Sequence, residues 1–150
     1  MKDGHGGVTI GSEASGGVRN VFAENCRMDS PNLDRALRLK TNAVRGGFIE
    51  NIYMRKVEIG QVADAVIHAD FYYEEGERGD FLPRVGNIVV EDVTCRKSRR
   101  ALYLRAFEKA PIEGLRLERC RFDNVKDKDL LEHVKGLVRK DVFVNGRKVG

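Results

Sequence analysis

The chain has 150 residues, 41% of them hydrophobic, and a formal net charge of +4 from 27 Lys and Arg against 23 Asp and Glu. That length makes one domain with a core; the small basic excess mildly favours polyanions as partners, but on charge alone a solvated mixed-charge surface is the better reading, and no basic tract is interleaved with aromatics as a single-strand nucleic-acid binder requires. No apolar run reaches the ~18–20 residues of a membrane span, and the Gly-rich N-terminus shows no apolar h-region of a secretory signal.

The chain opens on "KDGHGGVTIGSE" (2–13), which sets His5 between glycines. "VRNVFAENCRM" (18–28) is then the first of four related segments, followed by "IENIYMRKVEI" (49–59), "VGNIVVEDVTC" (85–95) and "IEGLRLERCRF" (112–122). Each begins with an aliphatic residue, and three carry an asparagine two positions later: Asn20, Asn51 and Asn87. Apolar columns line up behind it: Val21/Ile52/Ile88/Leu115, Ala23/Met54/Val90/Leu117, Cys26/Val57/Val93/Cys120 and Met28/Ile59/Cys95/Phe122. Within a copy the apolar residues alternate, break at a polar step and alternate again, which predicts strand, bend, strand. A second alternating stretch follows each of the first three copies: "ALRLK" (36–40), "AVIHA" (65–69) and "ALYLR" (101–105). One repeat thus holds about three short strands and little room for a helix. The last stretch, "DLLEHVKGLVRKDVFVNGRKV" (129–149), mixes a helical spacing of Leu130, Val134 and Leu137 with a strand-and-turn pattern in "VFVNG". It is read as an irregular closing coil over 126–150.

Repeats of this kind stack as coils, each strand ~4.8 Å from its counterpart one turn along. The expectation is an all-β parallel β-helix, a solenoid of about four to five coils in a single domain over 1–150. The variable repeat length argues against a leucine-rich repeat. The columns place Cys26, Cys95 and Cys120 inside as small apolar residues, since an odd number without CxxC spacing favours neither a disulfide nor a metal. Asn20, Asn51 and Asn87 are expected to form a ladder at a turn. In "ALRLK", Leu37 and Leu39 turn inward, so Arg38 and Lys40 project together, ~7 Å apart, from a rigid strand. Such a pair suits a carboxylate ligand, with Arg able to grip it bidentately. Two ordinary solvated cations are the alternative.

"GHGGVTIGSE", "GGVRNV", "DRALRLKT", "RGGFIENI" and "FYYEEG", in this order within a β-helical repeat, resemble the polygalacturonase family of glycoside hydrolases, right-handed parallel β-helices that cut pectic polymers. The resemblance covers nearly the whole chain. It implies metal-free, cofactor-free hydrolysis with inversion, acting on galacturonate-containing polysaccharide or oligosaccharide. Carried over by position, Arg38 and Lys40 hold the galacturonate beside the scissile bond. His5 serves as a catalytic residue next to the aspartates, helping to set their protonation and orientation. Tyr73, at the head of "YEEG", contacts the sugar, with Tyr72 as its rival for the groove. The parent enzyme is expected outside the cell or in the periplasm.

Inverting hydrolysis needs an acid and a base roughly 6.5–9.5 Å apart. The family carries them in "NTD" and "DD" motifs before the GHG segment, and neither motif occurs in this chain. The chain is therefore expected to be the C-terminal part of a β-helix truncated at its N-terminal end, with Met1 falling inside a larger active site and activity weak or absent alone. Glu13, Asp29, Asp34, Asp70, Glu74 and Glu75 are read as surface acids, and His68 and His133 as ordinary strand or loop residues. A cut coil leaves unpaired backbone groups, which predicts self-association through the N-terminal end. The reading from another class is a non-catalytic β-helical module that binds acidic glycans or serves in assembly. Nucleic acid and membrane are not expected partners.

Overall fold

Each long strand of this protein turns corners without losing its partners. The structure, a computed structural model, describes residues 4–11, 16–43, 46–72, 79 and 81–150. Its strands are β1 (Val8–Ile10), β2 (Val18–Met28), β3 (Leu37–Lys40), β4 (Phe48–Gln61), β5 (Ala65–Asp70), β6 (Arg84–Lys97), β7 (Arg100–Arg105), β8 (Ile112–Phe122), β9 (Leu130–Glu132), β10 (Val134–Val144) and β11 (Arg147–Lys148). Short strands stack in the order β1-β3-β5-β7-β9, and long ones in the order β10-β8-β6-β4-β2, with the two-residue β11 at the β10 edge. All pairs are parallel except β10 with β11. The fold is a parallel β-helix in which each coil supplies one long and one short strand.

The alternation predicted three short strands per repeat; the first two are in fact one continuous, bent strand. The reason is a pair of left-handed residues in every long strand. Asn20, Asn51, Asn87, Gly114 and Gly136 form the first bend, and Asn25, Lys56, Asp92, Arg119 and Asp141 the second, all with φ between +50° and +80°. One such residue redirects the chain and drops out of the register, while pairing resumes on either side. Asparagine tolerates this conformation best after glycine. The expected ladder forms: Asn51 Nδ2 donates to Asn20 Oδ1 at 3.2 Å, and Asn87 Nδ2 donates to Asn51 Oδ1. Lys56 has neither the short polar side chain of Asn nor the freedom of Gly, so Lys56→Asn is expected to raise unfolding stability by about 1 kcal/mol in a denaturant melt.

Inside the coil, the sequence columns become stacks. Val21, Ile52, Ile88, Leu115 and Leu137 pair in unbroken succession along the axis. Met54, Val57, Val90, Val93, Leu117 and Phe122 are at most 1% exposed. All three cysteines are free thiols; Cys95 and Cys120 sit inside the stack, and burial pushes both up to about 11. Cys26, on the outermost long strand, is half-buried.

The outer face of the long sheet carries an ion ladder. Between β2 and β4, Arg19 meets Glu50 at 2.8 Å, Arg55 meets Glu24 at 3.4 Å and Arg27 meets Glu58 at 2.9 Å. The ladder continues through Arg55–Glu91 at 3.3 Å, Arg119–Glu91 at 3.8 Å and Lys140–Glu118 at 3.9 Å. Arg119 also grips Asp92 at 2.8 Å, and this bond holds the Asp92 carboxyl below the usual carboxylate range.

Within 126–150, where an irregular closing coil is expected, β9 and β10 keep the parallel register of the coils before them. β10 pairs with β8 from Val134↔Ile112 to Val144↔Phe122, and only then does the chain turn back into β11. Leu130 and Val134 fall on separate strands because His133, at φ +57°, makes a one-residue corner between β9 and β10.

Candidate active site

The short strands present a stack of outward side chains. β3 alternates buried Leu37 and Leu39 with half-buried Arg38 and Lys40. Below lie the inward partners Leu37↔Ile67↔Leu102 and Leu39↔Ala69↔Leu104, all at most 1% exposed, so the strand is pinned and its outward pair has a fixed base. Outward, Thr9, Arg38, His68 and Tyr103 form one column, and Lys40, Asp70, Arg105 and Glu132 form the next.

A groove of about 260 Å³ runs over these columns. Five cations line it, Arg35, Arg38, Lys40, Arg99 and Arg100, against two carboxylates, Asp64 and Asp70. Much of the wall is braced. Arg35 pairs with Asp64 at 3.2 Å, and the Arg99 and Arg100 backbone N–H groups both donate to the Asp64 carbonyl. Arg99 Nε donates to Asp127 at 2.7 Å, and Arg100 Nε donates to the Lys128 carbonyl at 3.2 Å. The cationic excess, with Arg38 and Lys40 on β3 and Arg100 at the start of β7, suits the groove to an anionic ligand.

The structure brings Arg38 and Lys40 together in this groove, whose lining does not include His5. The His5 side chain is 84% exposed and its Nδ1 lies 3.1 Å from Asp34 Oδ2; Asp34 in turn lies 3.8 Å from Arg35. The glycines around it have a packing reason. A Cβ on Gly6 would meet Arg38 Cβ at 3.2 Å, and one on Gly11, at φ +99°, would fall 1.9 Å from the Lys40 carbonyl oxygen. The first strand therefore lies directly against the backbone that carries the cationic pair.

Tyr73, with Glu13, Glu74 and Glu75, lies outside the described residues. Tyr72 turns toward the core: its ring packs edge-on to Phe107 at 5.0 Å, and the Arg105 guanidinium covers it at 4.0 Å. Asp70 faces the groove and accepts the Tyr72 N–H at 2.8 Å. Asp29 belongs to a separate hollow with Arg27 and Arg96, where it lies 3.6 Å from Arg96.

His68, expected to be an ordinary strand or loop residue, and Tyr103, which no motif marks, both line the groove. Aligning "ALRLK", "AVIHA" and "ALYLR" by their inward residues puts Arg38, His68 and Tyr103 in one outward column. His68 is 6% exposed, its ring stacks on Tyr103 at 4.6 Å and 5°, and its Nδ1 has no hydrogen-bond partner among the described residues. Burial, with Arg35 and Arg38 beside it, brings its pKa down to about 3, so the imidazole is neutral at ordinary pH. The sign follows. Below its unfolded pKa of about 6.5 the unfolded chain takes up this proton and the folded chain does not, so stability falls as pH drops from 6.5 toward 3. The wild type is expected to lose up to about 1.4 kcal/mol per pH unit from this group across that window. His68→Gln removes that component, which parallel denaturant melts of the two proteins at pH 7 and pH 4.5 measure.

Residues 1–139 match glycosyl hydrolases family 28. A polygalacturonase of Ralstonia solanacearum is 33% identical over 91 residues, 59% of this chain and 17% of that protein. A probable polygalacturonase of Vitis vinifera is 27% identical over 115 residues, 72% of this chain and 22% of that protein. The crystal structure of a hyperthermoactive exopolygalacturonase from Thermotoga maritima superposes with a TM-score of 0.87 at 36% identity, covering 95% of this chain and 31% of that one. The chain thus spans less than a third of the length of these relatives.

Proposed function

Because the chain belongs to glycosyl hydrolases family 28, we propose that its groove binds a galacturonate-containing pectic chain as the uronate-holding part of a polygalacturonase-type site. One observation carries the reading: Arg38 and Lys40 stand side by side on β3, outward over a pinned core, in a groove with five cations and two carboxylates. Arg38 and Lys40 hold the sugar carboxylate beside the scissile bond, and His5 and Tyr73 support the reacting sugar. The reaction is hydrolysis with inversion. The partner is an acidic polysaccharide, met outside the cell or in the periplasm. Self-association runs through the open N-terminal coil, whose edge strands are β1 and β2.

A specific observation supports a second reading, a β-helical module that binds acidic glycans without cutting them. Asp70 ends β5 and Asp64 lies in the bend just before it, a separation of roughly 20 Å for an extended chain. An inverting pair works at roughly 6.5–9.5 Å. Asp64 is also engaged with Arg35. These two groove acids therefore do not make a hydrolytic pair, and the acid and base of the first reading come from elsewhere. Incubating the purified chain with polygalacturonate separates the readings. New reducing ends that depend on Arg38 support hydrolysis, retained binding without release supports the module, and absence of binding overturns both.

A further inference from the structure

The corner before the short strands carries a polar network of its own. His5 and Asp34 stand on adjacent coils, where Gly4 bridges Leu33 in parallel register. The Gly4 N–H donates to the Asn32 carbonyl at 3.2 Å, and the Asp34 N–H donates to the Gly4 carbonyl at 2.9 Å. These backbone bonds clamp the two residues side by side, and their side chains meet at 3.1 Å between His5 Nδ1 and Asp34 Oδ2. Asp34 is steadied from the following coil. Arg35 lies 3.8 Å from its carboxylate and 3.2 Å from that of Asp64, while the Asp64 N–H donates to the Asp34 carbonyl at 2.8 Å. We propose that Asp34 is a positioning residue for His5, holding the proton on Nδ1 so that Nε2 is presented as a hydrogen-bond acceptor. The inference rests on the reading of His5 as a supporting residue of a polygalacturonase-type site, and it specifies the form in which His5 serves.

A carboxylate has no proton to give, so the imidazole supplies the one that lies between them. In a neutral ring one nitrogen is the donor and the other the acceptor, and the hydrogen bond made at Nδ1 decides which. Asp34 therefore keeps the proton at Nδ1 and leaves the lone pair at Nε2, on a side chain open to solvent. Whatever meets Nε2 must be a donor: a protonated carboxyl, a water or a sugar hydroxyl. The reversed tautomer would offer an N–H at the same place. The difference is chemical. An acceptor favours the acid form of a carboxyl beside it, whereas a donor favours the ionised form. The fold gains little from the contact, since an ion pair this exposed contributes well under about 1 kcal/mol and the backbone already joins the two coils. Of the three histidines, His5 alone has a carboxylate at its ring among the described residues.

The test reads the tautomer by NMR on the full chain, labelled with nitrogen-15 in its histidine rings. It is run at pH 8, well above the ordinary imidazole value of about 6.5. In the wild type, His5 is expected to show the protonated-nitrogen shift at Nδ1 and the unprotonated one at Nε2. Asp34→Ala is expected to release the proton, so that both His5 shifts move toward each other while those of His133 stay in place. Asp34→Glu keeps a carboxylate on a longer stem and is expected to restore part of the wild-type pattern. Coil pairing at this corner uses the Asp34 backbone, so the circular dichroism of Asp34→Ala should match the wild type. A wild-type ring with its proton on Nε2 overturns the assignment, and so do His5 shifts that Asp34→Ala leaves unmoved; the first of these is decided on the unmodified protein. Galacturonate binding is measured in parallel by calorimetry. A wrong tautomer with binding intact overturns the role of Asp34 alone, whereas the expected tautomer with no binding overturns the site that His5 would serve.

Discussion

Arg38→Ala is expected to weaken binding of oligogalacturonate roughly 10- to 100-fold, and Arg38→Ala with Lys40→Ala to remove it from the measurable range. A charge-assisted hydrogen bond to a carboxylate contributes about 1.5–3 kcal/mol, and every 1.4 kcal/mol is a factor of ten. Arg38 can give two such bonds from one rigid fork, so Arg38→Lys is expected to recover only part of the loss. The strand that carries both is anchored from its other face. Leu37 and Leu39 anchor β3 from the other face, at no more than 1% exposure, and the strand keeps its pairing with β1 and β5 through the backbone. Circular dichroism and melting of the variants should therefore match the wild type while calorimetry does not. The wild-type affinity should also fall with added salt, since the groove is open and its charges are screened. An Arg38→Ala variant that binds within twofold of wild type would remove the central support for a uronate groove.

The largest expected loss of stability comes from Ile67→Ala. Ile67 is fully buried between Leu37 of β3 and Leu102 of β7, directly under the floor of the groove. Truncation to Ala at such a site costs about 2–5 kcal/mol, the transfer term plus the cavity left behind. In a chain of this length that lowers Tm by roughly 5–15 °C. Ile67→Val removes one methylene and is expected to cost about 0.5–1.5 kcal/mol, which separates a cavity effect from a general intolerance of change. Because coils contact only their neighbours, amide exchange should quicken in β3, β5 and β7 more than in β10. A loss below 1 kcal/mol for Ile67→Ala would mean that the wall between the strands collapses into the space.

Period-two alternation is a strict rule, and it made the inward columns legible before any coordinates. Val21, Ile52, Ile88 and Leu115 pair as their spacing implied, because a slip of one residue would put all four in water. The first bend was legible as well, since three of its five positions are asparagine. The second was not. Asn25, Lys56, Asp92, Arg119 and Asp141 share a backbone conformation and no side-chain chemistry, so no residue type announces it. The helical spacing of Leu130, Val134 and Leu137 was a coincidence of a strand, a one-residue corner at His133 and another strand. In the groove, Arg38 and Lys40 could be placed because their strand neighbours are leucines. His68 reads as an ordinary strand residue because its surroundings, Arg38 and Tyr103 among them, come from residues 30 or more positions away.

Charges on the outside of the long strands settle a question that stacked repeats raise in folding, namely which coil follows which. Inward columns of Val, Ile and Leu are nearly interchangeable, so a coil that skipped its neighbour would still bury oil against oil. The three ion pairs joining β2 to β4 discriminate. Were β2 to land on β6 instead, Arg19 would meet Gly86, Arg27 would meet Thr94 and Glu24 would face Glu91. Each pair is exposed and contributes only a few tenths of a kcal/mol. Their joint loss, with one repulsion added, still penalises the misthreaded arrangement, so the polar skin proofreads an order that the greasy interior alone would leave ambiguous.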